Sequence, residues 1–432
     1  MPSVSQYQQA VLAGFPKGLN LHADSSRLQP TELAAALNMR LGPRGEVQLT
    51  TGFSRRDNNI TSQVEFIHGW RRDDGIDYVI VVDANGQGWH DQWANINYEV
   101  GSVVPVGTDL QSFGVGFAGA KNKLYISSKN VTNVQSFYNG WSDVATIPKA
   151  KHLHYRHGRL FAINDIARPA GVYFSELLDP EAFGTDDYLE VNPDDGYEIN
   201  ASTVFGDDLV LFKDNAVWKL SGRTPTSFAL YEIDSHRGCV SPRGHAQLRS
   251  RLYFFDRDTG VWAFDGAGFE LVSQSINDYL LAGLDYHESF RASMYVTNDR
   301  IHLSVPWAAG GHRTFSLAGD TGGWMEHDTG FSGNDEYMEL QFVGLPGADG
   351  LYIADESSHI IPPSFDLING KFRTGWMLIG GAGIKARVRR LEMTVKGELT
   401  TSVTVRMYGD FDPNLVLATR TFVGGPGPRS LA

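Results

Sequence analysis

Three features of this 432-residue sequence predict an all-β fold, a β-propeller of about seven blades with six to eight as the range. Short apolar runs recur at a nearly constant spacing, glycine is plentiful at 47 residues, and sustained helix-forming runs are scarce. With 42% apolar, 12% aromatic and 20% charged residues, the chain can bury a large core and is neither disordered nor low-complexity.

Residues 1–60 stand before the repeat and read as an N-terminal arm with strands that close the fold. Gly14, Pro16 and Gly18 make a turn-rich entry. Residues 30–37 predict a short helix, with Pro30 at its first position and Glu32 in the first turn, where the helix dipole favours an acid. Residues 38–41 and 46–52 predict a strand pair around Gly42-Pro43-Arg44-Gly45.

The repeat occupies residues 61–366. Each copy has a polar or glycine turn, a short apolar strand, a second turn and a strand carrying an aromatic or other large apolar residue. Anchored on the central residues Tyr78, Tyr125, Phe161, Val210, Tyr253, His302 and Tyr352, the copies are 47, 36, 49, 43, 49 and 50 residues apart. Their second strands carry Trp89, Tyr138, Tyr173, Trp218, Trp262, Phe315 and Ile360. The mean spacing near 46 matches one four-stranded blade of about 40–50 residues. A pair of stacked sandwiches would also give short strands, but supplies no reason for the period. The runs are apolar on both faces, as Leu209 and Leu211 alternating with Val210 and Phe212 show, which suits a sheet held between two neighbours.

Residues 367–432 predict a small C-terminal β-sandwich or sheet, with alternation over 387–395 and 402–408. Between Lys371 and Arg406 there are eight Lys or Arg and two acids, and Lys385, Arg387, Arg389 and Arg390 are candidate interface residues for an acidic neighbour. The tail around Gly424-Gly425-Pro426-Gly427-Pro428 cannot pair in a ladder.

Chemistry is sparse. The single Cys239 excludes an intramolecular disulfide framework and a cysteine-rich zinc module. No leader-like or membrane-spanning apolar stretch is visible, so a soluble chain made in a cytoplasm and not inserted in a membrane is expected. A net charge of -13 argues against a grip on DNA through its phosphates. Eleven acids and no Lys or Arg fall between Pro169 and Phe212. Of these, Asp186, Asp187, Asp194, Asp195, Asp207 and Asp208 are candidates for lining a channel past which DNA slides, with solvated loops as the simpler reading and a Ca²⁺ site as the weakest. His152, His154 and His157 lie close together without a third zinc ligand at regular spacing, and are expected at a surface or interface. Asp256-Arg257-Asp258-Thr259-Gly260 reads as a hairpin tip. Residues 320–324 are similar to the Asp-box of sialidase-type propellers but one residue short, and that motif is structural. No nucleophile, zincin, P-loop or dinucleotide motif occurs in a suitable context, so neither enzyme activity nor a cofactor is expected.

The N-terminal segment carries a specific likeness. Gly18-Leu19-Asn20, Ser26-Arg27-Leu28, Pro30-Thr31-Glu32, Ala36-Leu37-Asn38-Met39-Arg40, Pro43-Arg44-Gly45 and Thr51-Gly52-Phe53 resemble the opening of β-propeller tail nozzle or hub proteins of short-tailed bacteriophages. At motif level this covers about the first 55 residues, and the blade-like organisation extends it over most of the chain. The resemblance implies a virion structural protein, not an enzyme. Its subunits would form a homo-oligomeric ring, usually a hexamer, that extends the DNA exit channel below the portal. The implied partners are a tail adaptor, tail fibres or spikes, and passing double-stranded DNA bound without sequence specificity. The alternative is a carbohydrate-binding or carbohydrate-cleaving propeller in which Trp93, Trp141, Trp307 or Trp324 stacks on sugar rings.

Overall fold

The computed structural model describes residues 14–49, 64–83, 402–409, 412–423 and 115–327 (apart from 130, 132, 139 and 298), with short strands at 52–53, 88–92, 341–343, 352–354, 360–361, 363–364 and 371–374. Seven small antiparallel sheets follow one another in chain order, and the protein is an all-β propeller. Blade 1 comprises Val64–Arg71, Asp77–Asp83 and Gly88–Gln92. Blade 2 has four strands, Gly116–Ala120, Lys123–Ser127, Val134–Phe137 and Trp141–Val144. Blade 3 is Ala150–Arg156, Arg159–Asp165, Gly171–Phe174 and Tyr188–Glu190, and blade 4 is Ala201–Phe205, Asp208–Phe212, Val217–Ser221 and Ala229–Asp234. Blade 5 is His245–Leu248, Arg251–Asp256, Gly260–Phe264 and Phe269–Leu271. Blade 6 is Ser293–Thr297, Arg300–Pro306, His312–Ala318 and Trp324–His327, and blade 7 is Gln341–Val343, Tyr352–Ala354 and Ile360–Ile361.

All seven sequence anchors, from Tyr78 to Tyr352, fall in the second strand of their blade. The strand period of two explains why those strands are apolar on both faces. Leu160 and Ala162 pack toward blade 2, while Phe161 and Ile163 pack toward blade 4. Leu209 and Leu211 face blade 3, and Val210 and Phe212 face blade 5. Each blade therefore presents an apolar layer to both neighbours, and propellers gain their rigidity from these layers.

The first strands of blades 2, 3 and 4 lie beside one another around the axis, as do those of blades 5, 6, 7 and 1. The circle is closed by His68 stacked on Phe117 between blades 1 and 2 and by Gln247 Nε2 donating to Thr203 Oγ1 at 3.1 Å between blades 5 and 4. The crowding is visible at Gly116. A Cβ there would sit 2.7 Å from the Leu153 nitrogen and 2.8 Å from the His152 Cα, so only glycine lets the first strands of blades 2 and 3 approach so closely.

The N-terminal arm is built into blade 6. Gly18–Leu19 runs parallel to Glu32–Leu37 and to Trp324–His327, and Lys371–Thr374 pairs antiparallel with Glu32–Leu37, giving a seven-stranded sheet. Residues 30–37 were expected to be helical; Glu32–Leu37 is instead a strand. The alanine run favours a helix locally, but as a strand it buries Leu33 and Ala36 against blade 6 and fills hydrogen bonds on both sides. Tertiary pairing outweighs a propensity difference of a few tenths of a kcal/mol per residue. The strand pair expected over 38–41 and 46–52 is present as Met39–Leu41 against Val47–Leu49. Gly52–Phe53 pairs with Pro363–Ser364, just after blade 7.

At the C-terminal end, Ser402–Gly409 and Asp412–Val423 form a hairpin. The strand expected over 387–395 and the glycine-proline tail lie outside the described residues.

Candidate functional site

In an antiparallel meander the turns between first and second strands, and between third and fourth, lie at one end. Those between second and third strands, and the connections between blades, lie at the other. The second end carries a chain of buried charge across blades 2 to 5. Lys129 follows the second strand of blade 2, Lys151 opens the first strand of blade 3, and Glu198 comes from the connection between blades 3 and 4. The Glu198 carboxylate lies 2.7 Å from Lys129 Nζ and 3.3 Å from Lys151 Nζ, and accepts a hydrogen bond from Asn164 Nδ2 at 3.2 Å. Both lysines and Asn164 are buried. Next along, the fully buried Lys213 donates to both Asp195 oxygens at 2.7 and 2.8 Å and to the Asn192 carbonyl at 2.9 Å. Asn200 donates to Asp214, which Arg257 of blade 5 also reaches at 3.1 Å.

Burial of this kind stands only when each charge has a partner. Burial pushes the Lys151 ammonium below its ordinary value, and Glu198 partly offsets that. Burial alone would raise the Glu198 pKa, but the charges of Lys151 and Lys129 and the Asn164 hydrogen bond bring it below the usual glutamate value. The loop 192–198 is thus fastened by three lysines drawn from three different blades.

The first strands carry neutral polar groups. His68 of blade 1 stacks on Phe117 of blade 2 with ring centroids 4.5 Å apart. His154 Nε2 lies 2.8 Å from Ser202 Oγ of blade 4, and His245 of blade 5 stacks on Phe212. Burial lowers His68, His154 and His245 to about 4 and His152 well below its ordinary value, so all are uncharged at neutral pH. His152 and His154 were expected at a surface or interface. His152 is instead buried and His154 half-buried against Ser202 of blade 4, because strand alternation points both into the wall between blades. Among the described residues, no group of three or more His, Cys, Asp or Glu could hold a metal ion.

The six candidate acids are not brought together. Asp186 and Asp187 lie in the connection between the third and fourth strands of blade 3, where Asp187 accepts from Gly184 N at 3.0 Å. Asp194 and Asp195 lie in a 3-10 turn at the opposite end. Asp207 and Asp208 sit at the first hairpin of blade 4, paired with Arg223 at 2.8 Å and Lys219 at 3.3 Å. None belongs to the first strand of a blade. The basic candidates Lys385, Arg387, Arg389 and Arg390 lie outside the described residues, as does Trp93.

The other motifs resolve into structure. Asp256 accepts from the Asp258 and Thr259 nitrogens at 2.9 and 2.8 Å, and from Gly238 N at 2.9 Å, as a hairpin tip requires. Trp324 is fully buried and donates Nε1 to the Val272 carbonyl at 2.7 Å. Trp141 and Trp307 are half-buried against their blades. The lysine network escaped sequence reading, and its one sequence signal was single lysines interrupting apolar strand ends, as in Phe212-Lys213.

No family model and no curated protein matches the chain. Among solved structures, it is similar to YCF48 bound to a D1 peptide, at 10% identity and a TM-score of 0.46, covering 73% of this chain and 96% of that one. It is similar to a chain of the mitotic checkpoint complex, at 10% identity and a TM-score of 0.45, covering 72% and 92%. It is also similar to the SapL1 lectin in complex with alpha methyl fucoside, at 13% identity and a TM-score of 0.36, covering 68% and 90%. The propeller assignment rests on the order and register of the blades themselves.

Proposed function

We propose that the chain is a structural subunit of a bacteriophage tail. In this reading it assembles as a closed homo-oligomeric ring, a hexamer by resemblance, that continues the DNA channel below the portal and adaptor and helps retain and release the genome. Repeated heterologous contacts around an axis leave a central hole, which is what a conduit needs. The supporting observation is the use made of the segment that carries the phage resemblance. Gly18 has a φ of 63° and lies so close to the blade 6 strand that a Cβ would meet Trp324 N at 2.9 Å; Leu19 is buried; Asn20 Oδ1 caps the turn by accepting from the His22 and Ala23 nitrogens at 3.1 Å. These residues act as a latch on a stiff disc, and a building block needs that more than it needs a pocket.

Fibres or spikes and the adaptor would bind the outer surfaces of the ring, and DNA would pass without being held. Of the six acids, Asp186, Asp187, Asp207 and Asp208, which share one end of the propeller, would face the lumen in such a ring, whereas Asp194 and Asp195 stand at the other end and Asp195 is taken up by Lys213. The arginine-bearing C-terminal region would turn toward neighbouring proteins. Electron microscopy of the purified chain, alone and mixed with the adaptor from the same virion, tests this. Closed rings with a central opening are the expected result. A monodisperse monomer that never assembles with the adaptor would overturn the proposal.

A further inference from the structure

We propose that Lys151, Asn164 and Glu198 form a self-processing site that joins the Lys151 side chain to the Asn164 side chain through an isopeptide bond. Lys151 and Asn164 are cross-strand neighbours in blade 3, since the flanking pairs Ala150↔Asp165 and His152↔Ile163 place them opposite one another. Asn164 leaves the extended conformation here, with a φ of 63°, so a shared carboxylate rather than ladder spacing brings the two side chains together. The Glu198 carboxylate touches both partners, with Oε1 3.3 Å from Lys151 Nζ and Oε2 3.2 Å from Asn164 Nδ2. Asn164 is fully buried and Lys151 is 5% exposed, so water is kept from the amide. Asn164 Nδ2 also donates to the Ile199 carbonyl at 2.7 Å, which fixes the plane of the amide. Asn164 Oδ1 is buried without a hydrogen-bond partner, an orphan acceptor of the kind that calls for an explanation.

The chemistry balances within these groups. The Glu198 carboxylate takes a proton from the Lys151 ammonium, and the freed lone pair attacks Cγ of Asn164. The carbonyl electron pair moves onto Oδ1, while the newly protonated Glu198 stays beside Nδ2. Collapse of the tetrahedral intermediate restores the carbonyl and breaks the Cγ–Nδ2 bond, with that electron pair leaving on nitrogen. The two protons shed by Lys151 pass through Glu198 to Nδ2, which departs as ammonium and leaves Glu198 ionised again. Burial favours the neutral amine that attacks, which assists the first step. Lys129, 2.7 Å from Glu198 Oε2, helps keep that carboxylate ionised and so able to act as the base. The result is a covalent rung between the first two strands of blade 3 at the mouth of the propeller.

The test is the intact mass of the full chain under denaturing conditions, with tandem mass spectrometry of its peptides. Loss of ammonia lowers the mass by about 17 Da from the sequence value, and a branched peptide should join residues 151 and 164. Glu198→Gln keeps both reacting groups but removes the base, and is expected to restore the full mass, as are Lys151→Met and Asn164→Ala. A wild-type chain at its full sequence mass overturns the proposal whatever the variants do, as does a mass loss that survives Lys151→Met.

Discussion

The junction between blades 5 and 6 is dry, whereas the junction between blades 3 and 4 is capped by buried charge. At the former, Phe255 and Val261 meet Ile301, Leu303, Phe315 and Trp324, and the helix Asn277–Gly283 and the N-terminal arm add Leu280, Leu19 and Leu33. At the latter, Phe161 and Ile163 meet Leu209 and Leu211 over a smaller apolar layer, and the end is closed by Lys213, Asp195, Lys151 and Glu198. The same blade architecture is thus held in two ways. Apolar packing is tolerant of exchange but sensitive to lost volume. Buried ion pairs add little over an apolar substitute, yet tolerate no half-measure, because one charge without the other is costly.

Acid should produce the largest effect, because it acts at both junctions at once. His302 and His312 of blade 6 are lowered by burial to about 3, and His327, like His68, His154 and His245, to about 4. The unfolded chain takes up these protons near pH 6.5 and the folded chain only near 3–4, so unfolding binds protons across that window. Stability from the neutral histidines is therefore complete above pH 6.5 and drains away as pH falls toward 4. Glu198 and Glu181, held below the ordinary glutamate value, extend the loss below pH 4.5. Urea midpoints measured from pH 7.5 to 4 should decline steadily below 6.5; a flat profile down to pH 4.5 would show that the histidines are solvated.

Single replacements then separate the two junctions. Trp324→Ala removes the largest fully buried side chain at the dry junction, together with its hydrogen bond to Val272, and should cost about 4 kcal/mol in chemical denaturation. At the charged junction, Asp195→Asn leaves the Lys213 ammonium buried beside a neutral amide and should cost about 3 kcal/mol, while Lys213→Met, which removes the buried charge itself, should cost clearly less. Equal losses for the two would mean that the ammonium is not sealed from water, and the contrast between the junctions would shrink.

The blades were legible because an apolar strand held between two neighbours must repeat at the length of a blade. Every anchor from Tyr78 to Tyr352 landed on the same strand of its sheet for that reason. The glycine, leucine and asparagine at 18–20 were legible as a motif but not as a mechanism, since the close approach to Trp324 belongs to tertiary structure. Residues 30–37 were misread because an alanine-rich run is helical by local preference, and only the free edge of blade 6 explains its extension. The charged cap was illegible, since it joins side chains up to 69 positions apart, from Lys129 to Glu198, through loops whose facing is set by the propeller.

The acidic block marks the lower bound of the comparison, because charge crowded in sequence is not charge crowded in space. Asp207 and Arg223 face one another at 2.8 Å with 71% and 69% of their side chains exposed. The Arg223 hydrogen bond and charge hold Asp207 below the usual carboxylate range, yet water solvates both groups in the folded and unfolded chain alike. Asp207→Ala should therefore leave the urea midpoint at pH 7 unchanged within error, in contrast to Asp195→Asn a dozen positions away. Should Asp207→Ala instead shift the midpoint as far as Asp195→Asn does, exposure would not be what divides the acids of this segment. The contrast between buried and solvated pairs would then have to be replaced by one based on net charge.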